Sequence, residues 1–199
     1  ILTGSTKYLQ NTDSEQLIIE FLSQEAMSTS QIEGEALHRD SVQSSVKKHL
    51  GLKVERYKIQ PKEYGVAEML VNQYQTSQQP LTHEMMHKWN TMLLHDRRDV
   101  TKGEYRSHSE PMQIVSGNHA NSTVYYEAPP SDTVPALMED FVQWFNANAI
   151  SHDVSIVAFA AQVHLRFEQI HPYEDGNGRI GRALAEKAIA LRLDAPFLS

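Results

Sequence analysis

Residues 171 to 182, HPYEDGNGRIGR, crowd a histidine, two acids, three glycines, an asparagine and two arginines into one short stretch. Arg179 and Arg182 fall in what reads as the first turns of a helix, where backbone amides are already partly positive. Cations there are unfavourable unless something negative binds. Upstream, the apolar pattern Ile156, Val157, Phe159, Ala160, Val163, Phe167, Ile170 ends at His171-Pro172, because the residue before proline is pushed out of the α region. That holds His171 at a helix end. Asp175-Gly176-Asn177-Gly178 can then turn sharply, and Asn177 opens a helix whose buried stripe is Ile180, Ala183, Leu184, Ala188 and Leu191. Successive amides at Gly176, Asn177 and Gly178 make an anion-binding nest at a helix N-terminus. Arg179 and Arg182 can clamp different phosphates of one nucleotide, and the Asp175 carboxylate suits a magnesium ion bridging phosphate oxygens. The plainer alternative is a helix-turn-helix connection, with His171 as a C-terminal cation, Asp175 as a cap and the arginines as solvated surface. Taken jointly, these residues favour a phosphate site.

A second chemical pattern competes. His83-Glu84-Met85-Met86-His87 matches the H-E-x-x-H of zinc metalloproteases. On a helical wheel Met85, Met86, Trp89, Met92 and Leu93 share one face, which predicts that His83 and His87 point to solvent. A catalytic zinc also needs a third protein ligand, and no later His or Glu is spaced as one. The zinc reading is set aside.

The elements that must position these groups are mostly helices. Spacings of three and four recur, as in Leu17, Ile18, Phe21, Leu22 and in Leu137, Met138, Phe141, Val142, Phe145. Thr12-Asp-Ser-Glu15 has capping-box form and opens a helix to about Ser28, and Gly51 ends a second after Leu50. Further helices are expected over 62 to 76, 82 to 95, 134 to 147, 153 to 170 and 177 to 192. The exception is MQIVSGNHANSTVYYEAPP, whose β-branched and Tyr-rich runs flank a turn. It predicts a hairpin with strands around Gln113, Ile114, Val115 and Thr123, Val124, Tyr125, Tyr126, marginal unless it packs on something.

Composition bounds the rest. The 199 residues suffice for one sizeable core. Without cysteine there is no disulfide scaffold or thiolate chemistry. No apolar run approaches the ~18 residues that would span a membrane, so the expectation is a soluble, cytoplasmic protein. Ile1 is no initiator methionine and RLDAPFLS closes no obvious element, so the sequence reads as part of a longer chain, truncated at its C-terminus. A formal charge of −7 argues against a nucleic-acid-binding face. Any phosphate site is therefore local.

HPYEDGNGRIGR also resembles the Fic-family signature H-P-F-x-(D/E)-G-N-G-R-x-x-R, departing from it by Tyr173 in place of Phe. GEYR at 103 to 106, the hairpin with the following APPSDTVPALMEDFVQWFN, and the helix entering His171 extend the resemblance over most of the chain from about residue 60. It implies an all-α fold, a helical bundle with a β-hairpin flap over the active site. An N-terminal helical region, 1–60, would precede a catalytic core, 61–199, in one compact unit. It also implies a protein adenylyltransferase, moving AMP from ATP to a Ser, Thr or Tyr hydroxyl of a target protein or of the protein itself. His171 would take the hydroxyl proton, Asp175 would hold Mg²⁺ or Mn²⁺, and Arg179 and Arg182 would neutralise the β and γ phosphates. The hairpin edge would pair with an extended target segment, or it merely covers the core. A homodimer stays open. So do an ATP-binding regulatory or docking module without turnover, and a Fic-fold enzyme moving or removing another phosphate-linked group.

STSQIEGE contains Thr29, Glu33 and Gly34 in the pattern (S/T)-x-x-x-E-(G/N), similar to the inhibitory motif of many Fic proteins. The resemblance implies an ion pair from Glu33 to Arg182 that takes the place of the γ-phosphate. Ser30-Gln-Ile-Glu33 is alternatively a capping box that starts the next helix.

Overall fold

The computed structural model describes residues 11–54, 59–116, 123–151 and 153–197. Seven α-helices and one hairpin make up the described residues: α1 (Asn11–Ile32), α2 (Arg39–His49), α3 (Pro61–Gln75), α4 (His83–Leu93), β1 (Gln113–Ser116), β2 (Thr123–Glu127), α5 (Val134–Ile150), α6 (Ile156–Ile170) and α7 (Asn177–Leu193). The fold is all-α with a hairpin, as the sequence suggests, and the expected helices lie within a few residues of those observed. Local signals explain several ends. Pro61 stands in the first turn of α3, Thr82 accepts the Met85 amide at 3.2 Å, Ser155 accepts that of Ala158 at 3.2 Å, and Gly51 follows α2 with φ +78°.

Two predicted starts differ. Helix α1 begins at Asn11, so Thr12 lies inside it rather than at its cap. It also runs past Ser28 to Ile32, which places Thr29 and Ser30 in its last turns. The capping-box reading of Ser30-Gln-Ile-Glu33 is thereby overturned: the next helix begins only at Arg39, with His38 as its N-cap. Glu33 instead follows the end of α1, where Gly34 turns the chain at φ +76°. The Glu33 and Gly34 amides close that turn on Ser30 and Gln31 carbonyls.

The helices share one apolar interior. Ile19, Leu22 and Ala26 of α1 and Val42 and Val46 of α2 join it with Trp89, Phe145, Phe159, Phe167 and Leu184. Helix α7 packs most extensively on α6 and also meets α1, α3, α4 and α5. The two strands pair antiparallel, with a register break between Ile114 and Val115, and no third strand is paired to them among the described residues. The predicted tip of the hairpin lies outside the described residues. No described helix is long and apolar enough to cross a membrane.

Candidate active site

His171 caps the C-terminal end of α6 in a left-handed conformation, φ 50°, ψ 60°. The sequence predicts only that Pro172 drives it out of the α region; the left-handed geometry, costly for a residue with a Cβ, needs a further cause. Arg106 supplies it. Only 2% exposed, Arg106 donates from Nε to the His171 carbonyl at 2.7 Å and from Nη2 to that of Ile170 at 3.2 Å. It also reaches the Pro129 carbonyl and Ser131 Oγ, while its own amide donates to the Pro172 carbonyl. One side chain thus locks the end of α6, the histidine and the base of the hairpin. On the other side, Met112, Gln113, Tyr126 and Ala128 enclose with His171 a cavity of about 80 Å³.

The turn after His171 is closed differently from the expected cap. Asn177 is buried, and its Oδ1 accepts the Tyr173 amide at 2.9 Å while its Nδ2 donates to the Tyr173 carbonyl at 2.8 Å. Gly176 occupies the N-cap of α7 at φ +85°. The φ calls for glycine, and a Cβ there would also lie 2.9 Å from Leu93 Cδ2, which would have to shift. Buried Asn90 of α4 ties the same turn down, donating to the Asp175 carbonyl at 3.0 Å and accepting the Gly103 amide at 2.8 Å. Because the Asn177 side chain is committed to Tyr173, what remains at the start of α7 is the row of first-turn amides without intrahelical acceptors.

Both arginines of α7 are paired. Arg182 Nη2 is 2.6 Å from Glu33 Oε1, and its Nε donates to Thr29 Oγ1 at 2.8 Å. The Glu33 carboxylate lies against the turn itself, since a Cβ on Gly178 would collide with Oε1. Arg179, 6% exposed, is 2.7 Å from Glu35 Oε2 and 3.8 Å from Asp175 Oδ1. Asp175 Oδ2 is 2.7 Å from Arg97, a cation that Asp99 also holds. The alternative of solvated surface arginines does not hold for a buried Arg179. Sequence spacing offers no sign of Glu35, Arg97 or Asn90, which come from other elements; Arg106 stood out only as part of GEYR.

Asp175 fits a magnesium ion by its chemistry. It is a hard carboxylate at the mouth of the turn, about a third exposed, whereas its neighbour Glu174 is occupied by the hydroxyl and amide of Thr101.

The H-E-x-x-H histidines require a correction, since they do not point to solvent. His83 Nδ1 meets Tyr105 Oη at 2.6 Å and its Nε2 meets Glu139 at 3.0 Å. His87 Nδ1 meets Tyr173 Oη at 3.1 Å, and burial lowers its pKa. The buried stripe of α4 runs through Met86, Trp89, Asn90 and Leu93, which leaves the histidines on its flank, where the 103–106 loop lays Tyr105 over them. His87 also gives the fully buried Tyr173 hydroxyl the partner it requires.

The described residues thus bring a histidine, an Asp-Gly-Asn-Gly turn and two arginines together at the N-terminal end of one helix in an all-α fold. Residues 80–189 match the family model described as Fic/DOC family, and residues 1–52 match one described as Domain of unknown function (DUF4172). The chain belongs to the Fic/DOC family. Among curated relatives, a probable protein adenylyltransferase of Aquifex aeolicus is 37% identical over 59 residues, 30% of this chain and 18% of its own length. A uridine 5′-monophosphate transferase of Xanthomonas campestris is 27% identical over 121 residues, 55% of this chain and 21% of its own. The protein adenylyltransferase Fic of Nematostella vectensis is 35% identical over 95 residues, 45% of this chain and 21% of its own. The chain thus matches about a fifth of the length of these relatives. Two solved structures share the fold. A Fic domain containing signaling protein from Bacteroides thetaiotaomicron superposes with a TM-score of 0.71 at 24% identity, over 96% of this chain and 70% of that one. Fic-1 from C. elegans gives 0.65 at 20%, over 98% and 56%.

Proposed function

We propose that this chain transfers AMP from ATP to a protein hydroxyl and that Glu33 holds it in a resting state. The observation that carries this reading is that Arg179 and Arg182, placed where a helix N-terminus wants an anion, are satisfied by carboxylates of the segment following α1, Glu33 at 2.6 Å and Glu35 at 2.7 Å. An anion site filled by the chain's own acids is suited to a ligand that competes with them. ATP would offer its phosphates to the α7 amides and to Arg182 once Glu33 departs. His171, facing the small cavity beside the hairpin, would take the proton of a Ser, Thr or Tyr hydroxyl. The hydroxyl oxygen bonds to the α-phosphorus, the bond from that phosphorus to the β-phosphate oxygen breaks, and pyrophosphate leaves with the electron pair. Asp175 would hold magnesium, which neutralises charge on the phosphates. The open edge of β1 or β2 would carry the target segment.

The test is direct. With ATP labelled at the α position, the protein or its Glu33→Gly variant should label itself or a target, while γ-labelled ATP should leave no label. His171→Ala should abolish labelling and leave Mg-ATP binding nearly unchanged, because the base acts on the hydroxyl. A second reading has one observation behind it: the uridine 5′-monophosphate transferase matches 55% of this chain, more than the two adenylyltransferases described above. Faster labelling from α-labelled UTP than from ATP would favour it. If both forms bind nucleotide and neither ever transfers label, the reading gives way to a binding module.

A further inference from the structure

The last turn of α6 carries an acid that neither the anion site nor the hairpin uses. Glu168 stands three residues before His171, with Oε2 3.6 Å from the imidazole Nδ1. Its other oxygen, Oε1, is buried and has no hydrogen-bond partner among the described residues, although His164 Nε2 approaches to 3.8 Å. Two features make this costly as mere architecture. A carboxylate in the last turn of a helix opposes the partial negative charge of the carbonyl end. A buried acceptor left without a donor also loses its hydration without return.

Helix α7 approaches the same carboxylate through a glycine. Gly181 faces it, and a Cβ at that position would lie 2.7 Å from Oε1 and 2.9 Å from His164 Cδ2. The basic groups within 4 Å of the Glu168 carboxylate among the described residues are two imidazoles, His164 of its own helix and His171 at the cap of that helix. The two arginines of the 171–182 stretch are engaged elsewhere, Arg182 by Glu33 and Arg179 by Glu35. Arg106 meanwhile fixes the backbone of His171 through its carbonyl, leaving the ring orientation to be set by what its nitrogens meet.

We propose that Glu168 is the positioning residue of the base: its carboxylate accepts the Nδ1 proton of His171, holds the ring in that tautomer and leaves Nε2 unprotonated toward the substrate hydroxyl. This rests on the transfer reading above only for its kinetic consequence. A small rotation of the ring closes the 3.6 Å separation to a hydrogen bond. When Nε2 takes the hydroxyl proton, the carboxylate stabilises the resulting imidazolium while its own proton count is unchanged.

The experiment compares the protein with Glu168→Gln and Glu168→Asp, each also made in a Glu33→Gly background. The imidazole nitrogens are followed by ¹⁵N NMR near pH 8, well above the ordinary histidine pKa, with the His171 signals identified by their loss in His171→Asn. The expected result is an Nδ1-protonated His171 in the parent that shifts toward the Nε2-protonated form in Glu168→Gln. In the labelling assay kcat should fall by about 10- to 100-fold, part of what a positioned base contributes, with KM for Mg-ATP unchanged and activity partly retained by Glu168→Asp. A His171 that carries its proton on Nε2 in the parent, or a tautomer indifferent to Glu168→Gln in folded protein, overturns the proposal. The NMR result decides it even if no form transfers label, an outcome that would count against the transferase reading alone.

Discussion

Glu33 and Glu35 sit two positions apart and hold different arginines of α7, yet the two pairs are not equivalent. Arg182 and Glu33 are partly exposed, at 21% and 34% of their side chains, whereas Arg179 is 6% exposed and its Nε has no partner among the described residues. An exposed pair can be exchanged for another anion at small cost, but a buried guanidinium that loses its acid cannot easily be rehydrated. Glu33→Gly should therefore cost at most about 1 kcal/mol of stability and raise self-labelling markedly, by freeing Arg182 for the γ-phosphate. Glu35→Gln should destabilise by more, about 1 to 3 kcal/mol in denaturant unfolding. Arg182→Ala should be slow with or without Glu33, so the double variant should behave as Arg182→Ala alone. A Glu33→Gly protein that keeps its circular dichroism and labels no faster than its parent at saturating Mg-ATP would return Glu33 to a structural brace.

Between elements, the strongest determinant of the histidine's place is a residue 65 positions away in sequence. Arg106 bonds four acceptors, the Ile170 and His171 carbonyls at the end of α6 and the Pro129 carbonyl and Ser131 Oγ before α5. Lysine keeps the charge but not the fork that spans them. Arg106→Lys should lose about 2 kcal/mol or more and, under the transfer reading, lower kcat while sparing KM for Mg-ATP; unchanged unfolding would show that the fork is dispensable. This is also where sequence reasoning ends. The helices were legible because periodic apolar residues and caps act within a turn or two of themselves, and the 171–182 turn because its chemistry is contiguous. Arg97, Asn90, Glu35 and Arg106 act across packed elements, which no spacing along the chain encodes. The same limit explains His83 and His87: the wheel of α4 separates them from Trp89 but sends them to solvent, because it carries no sign of the loop with Tyr105 that covers them.

For the molecule as a whole, α1 and α2 share the core of the remaining helices, and buried Lys187 of α7 donates to the Thr76 and Ser77 carbonyls at the end of α3. Burial pulls the Lys187 pKa down to about 8, below the ordinary ~10.4 of an unfolded lysine. Between those values the unfolded chain binds the extra proton, so this residue's contribution to stability rises with pH. The difference in unfolding free energy between the protein and Lys187→Met should shift in the protein's favour from pH 7 to about 9.5; a constant difference would place the folded pKa near its usual value. The seating of α1 has another consequence. Its carboxyl end is moored to α7 through Thr29 and Glu33, so under the proposed reading a nucleotide that claims Arg182 would first have to cast off that mooring. Ligand stabilisation follows RT ln(1 + [L]/Kd), and under the proposed reading the apparent Kd of the parent contains the work of release. At one Mg-ATP concentration, the rise in melting temperature should be smaller for the parent than for Glu33→Gly. The gap between the two melting shifts would weigh the mooring against the nucleotide on a single balance, with neither a radioactive label nor a known target.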